Sequence, residues 1–343
     1  GLMQLVAYGA QDIYLTGNPQ ITFFKVVYRR HTNFSMEAIE QTLNGTIGAS
    51  NKVSATISRN GDLVGRMYVQ HAPGGNVAEN NYGYHILSEV VCEIGGQQID
   101  KHYSHWLNTW AELTEPNPTG SSAACSDNLL TNSPTKFQRM ACAGGVIDTA
   151  ANPGMLFIPL QFWFNRNPGL ALPLIALQYH EVKIQITFSA ALETDGSTAL
   201  FADYIYLDTD ERRRFAQQSH EYLIEQVQHS TSAAEQNVDL NFNHPVKELV
   251  WTGAWNSAVG VNGGINVVLG AGNTYKLKLN GHDRFSPRDR LYFTRAQVWQ
   301  HHTGFGGVTL ADTTAVYSFA LKPEEHQPSG TCNFSRIDNA KLE

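Results

Sequence analysis

Residues 157–190 read FIPLQFWFNRNPGLALPLIALQYHEVKIQITFSA and hold two apolar runs with a turn between them. The first run, Phe157–Phe164, is rich in aromatic side chains, and the second, Val182–Phe188, alternates apolar and polar residues. The segment Asn165–Gly169 lies between them and contains Pro and Gly. Runs of β-branched and aromatic residues separated by Pro and Gly are typical of strands joined by turns. The stretch therefore predicts two strands of a buried sheet.

A similar order of elements recurs at the end of the chain, in Val316–Glu343. It consists of a strand, a Pro/Gly turn and the start of a strand at Ala340–Leu342. Three further stretches of the chain match one another at a single offset, 223 − 38 = 185. A shared offset over separate stretches is typical of internal repeats, so the pattern predicts a duplicated domain. The matches place Ala38–Gln41 on Leu223–Gln226, Val53, Ala55 and Ile57 on Val238, Leu240 and Phe242, and Ile94–Gly96 on Leu279–Gly281.

The number of short strands in each copy indicates the architecture. About eight strands with sandwich-like alternation predict a jelly roll, whose two packed sheets leave few free edges. We therefore predict an all-β chain made of two tandem antiparallel jelly-roll sandwiches with a few short helices. Trp106, Trp110 and Leu113 recur at helical spacing and predict a helix over 105–113. In the first copy, the strands are predicted at 34–43, 53–59, 63–70, 89–95, 97–103, 156–164, 182–190 and 203–208.

These patterns predict three segments. They are an amino-terminal arm at 1–27, a first jelly roll at 28–217 and a second jelly roll at 218–343. The first jelly roll carries a long loop at 116–154, and the second carries a Gly/Asn-rich loop at 252–274. Loops of such length are commonly either functional or disordered.

The second jelly roll is expected to be incomplete at its carboxyl end. The repeat aligns Lys183 with Lys341, at an offset of 341 − 183 = 158 in place of 185, so the second copy is the shorter one up to that point. The first copy continues from Lys183 as far as Gln217, whereas only Leu342 and Glu343 follow Lys341. The last strands of the second sandwich are therefore expected to lie outside this sequence.

Composition excludes several classes of protein. A net charge of −7 over 343 residues argues against a protein that coats nucleic acid directly. No apolar run of about 18 residues is present, so no transmembrane segment is predicted. The cysteines follow no CxxC or Cys/His spacing, which predicts reduced, partly buried thiols instead of a disulfide framework or zinc site. They are Cys92, Cys125, Cys142 and Cys332.

No pattern of catalytic or metal-binding residues emerges. The 13 histidines include the neighbours His301-His302 and the pair His102/His105, but no His-x-His with a following Glu, as a cupin-type metal enzyme would need. Asp208–Glu211 lacks the glycine and distal glutamate of a calcium loop, and Arg212–Arg214 beside it favours a salt-bridged linker. We therefore predict no catalytic, cofactor-binding or metal residues, no cofactor and no enzyme activity.

Seven long motifs run through nearly the whole chain. They are Gln4–Asp12, Tyr14–Lys25, Ser58–Leu63, Ile94–Tyr103, Pro168–Leu174, Leu240–Pro245 and Pro328–Ala340. Together they resemble the major capsid proteins of nucleocytoplasmic large DNA viruses, with the chlorella-virus (phycodnavirus) proteins as nearest relatives. The sequence departs from that family in the loops 116–154 and 252–274 and at the carboxyl end.

The resemblance implies a structural capsid protein of a large dsDNA virus. Such a chain would form a homotrimer, a pseudo-hexagonal capsomer that tiles an icosahedral shell beside neighbouring capsomers. The arm 1–27 would lie on the inner side and contact minor capsid proteins beneath the shell, and the long loops would project outward and carry glycans. The location would be the virion, after assembly in the host cytoplasm. A carbohydrate-binding β-sandwich and a cupin-type enzyme remain the alternatives, since both share a β-sandwich fold.

Overall fold

The computed structural model describes residues 9–77, 79–118, 134–146, 152–194, 196–232, 237–253, 255–256, 264–265, 274–304, 306 and 312–343. Its contacts divide the chain into two units, residues 1–34 and residues 35–343. Between residues 9 and 33 there is one short helix, α1 (Ile13–Thr16), and no strand. Asp12 is the residue before this helix, and its carboxylate accepts a hydrogen bond from the Gly9 backbone N–H at 2.8 Å.

Two five-stranded sheets form the first half of the larger unit. One has the order β1–β10–β4–β7, with β8 also paired to β4, and the other has the order β2–β3–β9–β5–β6. The strands are β1 (Phe34–Gln41), β2 (Leu43–Asn44), β3 (Lys52–Thr56), β4 (Leu63–Ala72), β5 (Leu87–Ile94), β6 (Gln97–Tyr103), β7 (Leu156–Pro159), β8 (Leu172–Pro173), β9 (Val182–Phe188) and β10 (Ser197–Leu207). The helices are α2 (Tyr82–His85), α3 (Ser104–Thr114), α4 (Lys136–Ala141), α5 (Trp163–Arg166) and α6 (Thr209–Gln217).

Alternation along these strands produces one apolar core between the two sheets. In β9 every second residue from Val182 to Phe188 is buried, and the residues between are partly exposed. Because side chains alternate across a strand, this period of two turns one face of each sheet inward. Core residues from both sheets, such as Met67 on β4 and Ile186 on β9, belong to the same buried cluster.

The stretch 157–190 does contain the two predicted strands, together with the two-residue strand β8, but two details of the prediction are wrong. The first strand stops at Pro159, and the aromatic run continues into helix α5. The two strands also lie in different sheets, since β7 pairs with β4 and β9 pairs with β3 and β5. Asn165 explains the early helix, because its Oδ1 accepts from the Phe162 N–H at 3.3 Å and its Nδ2 donates to the Gly65 carbonyl at 2.8 Å.

The long loop predicted at 116–154 contains a structured part. Residues 119–133 and 147–151 lie outside the described residues, but α4 lies between them. Thr135 accepts from the Gln138 N–H at 3.1 Å, and the Gln138 side chain accepts from the Thr135 N–H at 2.9 Å. This reciprocal pair is a capping box of the form T-x-x-Q, which starts a helix. After this helix, the side-chain oxygen of Asn81 accepts hydrogen bonds from the backbone N–H groups of Gly145 and Val146.

The second half of the larger unit contains smaller sheets. A four-stranded sheet has the order β11–β22–β17–β18, and β13–β20, β12–β21, β14–β15 and β16–β19 are two-stranded. A π-helical segment, Tyr292–Ala296, leads into α7 (Gln297–His301). The strands are β11 (Val238–Asp239), β12 (Pro245–Val246), β13 (Glu248–Thr252), β14 (Trp255–Asn256), β15 (Gly264–Ile265), β16 (Thr274–Tyr275), β17 (Leu277–Leu279), β18 (His282–Asp283), β19 (Arg288–Asp289), β20 (Thr314–Ser318), β21 (Cys332–Asn333) and β22 (Ala340–Leu342).

The strand pairings of the two halves correspond to each other at the sequence offsets of 185 and 158 residues. In the first half Cys92, Glu93 and Ile94 pair with Ile184, Lys183 and Val182, and in the second half Leu277, Lys278 and Leu279 pair with Leu342, Lys341 and Ala340. Both β5–β6 and β17–β18 turn through two residues of positive φ, Gly95-Gly96 and Asn280-Gly281. Only such residues fit this tight hairpin turn. The duplication is therefore present in the strand pairing as well as in the amino-acid sequence.

Two other expectations need correction. Val238 pairs with Leu342, whereas Val53 pairs with Ile186, so β11 is shifted by two residues from the register that the sequence repeat predicts. Cys142 is disulfide-bonded to a partner outside the described residues, although Cys92 and Cys332 are free as predicted. Sequence spacing could not show that bond, since a disulfide requires Cα atoms about 4.4–6.8 Å apart in the folded chain.

Candidate functional site: the junction and the outer face

Histidines and acidic residues that the sequence singled out lie apart from one another. In the described part of the chain, no group of three or more His, Cys, Asp or Glu side chains could hold a metal ion. His102 is buried and contacts Asp100 at 2.9 Å, while His105 meets the Thr252 hydroxyl at 2.5 Å. His301 is half-buried, and its Nδ1 lies 3.1 Å from the Leu321 carbonyl.

The charged segment 208–214 is helical. Residues 209–217 form the exposed helix α6, in which Arg214 contacts Glu211 at 3.1 Å. Arg212 reaches Asp62 in the first half at 2.9 Å, and Asp62 also accepts from the Leu207 N–H at 2.8 Å. The salt bridges predicted for this segment are therefore present.

The carboxyl end of helix α3 is the backbone contact between the two halves. The last carbonyls of a helix have no partner within it. Here the Gly304 N–H donates to the Leu113 carbonyl at 2.7 Å, and the Gly306 N–H donates to the Glu112 carbonyl at 2.9 Å. A Cβ on Gly304 would lie 2.5 Å from the carbonyl oxygens of both acceptors. Only glycine allows the second half to approach the helix so closely.

An ionic cluster centred on His302 lies next to this backbone contact. The His302 side chain is fully buried, with Nε2 2.8 Å from Glu248 Oε2 and Nδ1 2.9 Å from Glu324 Oε1. Burial lowers the pKa of His302, but the hydrogen bonds and charges of both carboxylates outweigh burial and raise that pKa to about 9. The Thr303 hydroxyl links the cluster to the first half through the Thr114 carbonyl at 3.0 Å. A charged imidazolium therefore holds the segment that caps α3.

A second ionic group spans the same junction. Glu225, in the connection after α6, is contacted by Arg166 at 2.5 Å, by Lys247 and by His326 at 3.4 Å. The Arg166 guanidinium also lies 4.9 Å from the centre of the Trp110 ring, a cation–π contact. Because Glu225 is bonded from both halves, it ties the connection to each of them.

The outer face of the sheet β1–β10–β4–β7 carries aromatic side chains. Tyr68 stacks on Phe201 with ring centres 5.5 Å apart and meets the edge of Phe157 at 5.9 Å. Tyr68 and Phe157 line a groove of about 790 Å³ that extends to Glu324 and His326 in the second half. In the described chain no helix is long and apolar enough to cross a membrane.

Family models match both halves of the chain. Residues 22–221 match the model described as major capsid protein N-terminus, and residues 211–343 match that of the large eukaryotic DNA virus major capsid protein. The chain belongs to the family of major capsid proteins of large eukaryotic DNA viruses. The family is a structural one, and its members are components of the virion capsid.

Individual relatives agree with this assignment. The chain is 51% identical to the major capsid protein of Pyramimonas orientalis virus over 375 residues, covering all of this chain and 91% of that protein. It is 44% identical to the protein of Paramecium bursaria Chlorella virus 1 over 395 residues, covering all of this chain and 86% of that protein. The predicted family is therefore confirmed.

Solved structures agree on the fold. The PBCV-1 virus capsid model matches with a TM-score of 0.74 and 40% identity, over 94% of this chain and 86% of that one. The Faustovirus major capsid protein matches with a TM-score of 0.62 at 14% identity, over 98% and 90%, which shows the fold alone. The predicted double jelly roll is confirmed, with open sheets instead of closed barrels.

Sequence reasoning missed the junction. His302 was treated only as a neighbour of His301, and Glu248 and Glu324 lie 54 and 22 residues away from it along the chain. The helix at α4 could have been found, since the T-x-x-Q capping box at Thr135 is visible in the sequence.

Proposed function

We propose that three copies of this chain form a pseudo-hexagonal capsomer, and that these capsomers tile an icosahedral shell. The shared register of β5–β9 and β17–β22 carries the proposal, because it places two similar units in one chain. Three chains would then present six similar units around an axis. Such a ring closes through heterologous contacts, in which each chain uses two different surfaces.

The junction supports this assembly, since a hexagonal outline requires the two units to keep a fixed relation. Backbone hydrogen bonds from Gly304 and Gly306 and the Glu225 cluster cross between the halves, and the His302 cluster holds the segment that donates those backbone bonds. We accordingly propose a first jelly roll at 28–217 and a second at 218–343, joined by these contacts.

The remaining segments are assigned to the two sides of the shell. We propose that the arm 1–27 lies beneath the shell and contacts minor capsid proteins, because its apolar side chains are exposed in its own unit, among them Phe23, Phe24 and Val26. The loops 116–154 and 252–274, largely outside the described residues, would face outward and carry glycans. Assembly would take place in the host cytoplasm, with neither catalysis nor direct contact with nucleic acid.

The mass of the purified protein in solution tests the proposal. Light scattering should give three times the 38.0 kDa of one chain at micromolar concentration. Limited proteolysis of assembled particles should cut the outer loops before the arm. A monomer over the whole concentration range would contradict the trimer and favour the carbohydrate-binding sandwich, particularly if a glycan raised the melting temperature.

A further inference from the structure

The sheet β1–β10–β4–β7 carries large apolar side chains on both of its faces, although its outer face also carries charged residues such as Arg66. Its inner face supplies Met67 and Val69 to the core, as one face of any packed sheet must. Its outer face carries Tyr68, Phe157 and Phe201, which form an aromatic strip across three strands, with Tyr68 in contact with the other two. Antiparallel sheets commonly have one face packed on the core and a polar face in water, so a row of aromatic rings on the outer face is a candidate contact surface.

The strip is open to solvent. Phe157 is 38% exposed, and Met140, on the rim of the adjoining groove, is 40% exposed. Large aromatic residues on a surface groove are the residues that contribute most to protein–protein binding. The strip and the groove of about 790 Å³ therefore form one continuous surface, which begins on the first sandwich and reaches Glu324 and His326 in the second half.

Charge indicates what covers this surface. Arg66 is exposed on the same outer face of β4, and it makes no ion pair within 4 Å among the described residues. Burial raises the pKa of the nearby Asp203 carboxyl, and the positive charge of Arg66 opposes that rise. Arg66 would attract an acidic partner, and this chain itself carries a net charge of −7. In a capsid built from many copies of one protein, a second copy is also the most abundant neighbour.

The size of the face suits a stable contact. Four strands spaced by about 4.8 Å and rising about 3.3 Å per residue, with a mean length of about eight residues, present a projected area of roughly 500 Å². A stable interface needs about 800 Å² of accessible surface per partner. The face supplies most of that area, because accessible surface exceeds projected area, and the groove beside it supplies the rest.

We propose that this aromatic face, from Phe201 across Tyr68 to Phe157 and into the groove, is the surface on which a second copy of this chain packs. The inference rests on the proposed trimer and identifies one of its two contact surfaces. The aromatic rings fill the centre of the contact, and Arg66 pairs with a carboxylate of the second copy at its edge.

The variant Phe157→Lys tests the surface, because the side chain points outward from an edge strand and its loss leaves the core unchanged. We expect the trimer to dissociate, with its dissociation constant raised at least about 30-fold. Tyr179→Lys is the matched control, since Tyr179 is 93% exposed in the same half and lies outside the strip. It should remain a trimer.

Four outcomes separate the inference from the proposed function. A monomeric wild type overturns both, whereas a trimeric Phe157→Lys protein with normal circular dichroism overturns the inference alone. Dissociation of Tyr179→Lys as well would also overturn it. Where Phe157→Lys is insoluble, hydroxyl-radical labelling of the wild type decides the question: labelling of Phe157 should fall in the trimer relative to diluted monomer, and equal labelling refutes the inference.

Discussion

Raising the pH should weaken the junction through His302. Its pKa of about 9 lies above the usual 6.5, because hydrogen bonds and charges from Glu248 and Glu324 outweigh the effect of burial. A difference of that size is worth roughly 3 kcal/mol. Because the folded state holds the proton more tightly, this stabilisation is complete below about pH 6.5 and is lost as the pH rises through about 9.

The variant His302→Gln isolates this contribution. Glutamine keeps the approximate size but brings no charge, so at pH 6 the variant should be less stable by about 3–5 kcal/mol, the cost of leaving buried carboxylates uncompensated. Between pH 6.5 and 9 the wild type should lose about 1.4 kcal/mol of unfolding free energy per pH unit that the variant does not lose.

Urea unfolding at one fixed protein concentration, followed at pH 6, 7, 8 and 9, measures both quantities. Other groups that titrate in this range, such as the Cys332 thiol, whose pKa is raised by burial, are common to both proteins and cancel in the difference. Parallel pH profiles for the wild type and His302→Gln would refute the assignment of a buried, charged imidazole.

Three further predictions concern single positions. Burial lowers the pKa of His71 to about 4, so the folded state resists protonation and unfolding free energy should fall by about 3 kcal/mol as the pH drops from 6.5 to 4, a loss absent from His71→Asn. Gly304→Ala should lower the free energy of unfolding by at least about 2 kcal/mol, seen as a lower melting temperature, because the added Cβ would overlap the end of α3. Gly75→Ala is the control and should be neutral, since no atom lies within 4 Å of its Cβ. Thr135→Ala removes the capping box of α4 and should cost about 1 kcal/mol in the same measurement.

The repeated parts of the fold were predictable because their signals are local. Apolar alternation in β9, the two-residue turns at Gly95 and Asn280, and the helical spacing of Trp106 and Trp110 each depend on neighbours within a few residues. The offset between Lys183 and Lys341 then required only that two local patterns recur. The register of β5 with β9 and of β17 with β22 agrees with the two offsets, although the sequence alone did not identify these strands as partners.

Features that depend on distant residues were not predictable in the same way. The aromatic run 157–164 looks like a strand along its whole length, and only the contact of Asn165 with Gly65, 100 residues earlier, explains why it turns into a helix. The sheet to which a strand belongs is likewise decided by its partners, so β7 and β9 could be predicted as strands but not assigned to facing sheets. The same holds for the disulfide of Cys142, which depends on the path of a long loop.

The contact between the two halves is formed in part by equivalent positions of the repeat. Leu113 at the end of α3 corresponds to Val298 in α7 at the offset of the repeat, 298 − 113 = 185, and both side chains belong to one buried cluster with Val316. Equivalent helices of the two sandwiches therefore pack against each other, although the polar contacts around them differ. The end of α3 is capped by Gly304 and Gly306, whereas the end of α7 leads into the buried His302. An apolar contact between equivalent positions would tolerate sliding, so we infer that these unequal polar groups fix the angle between the two sandwiches.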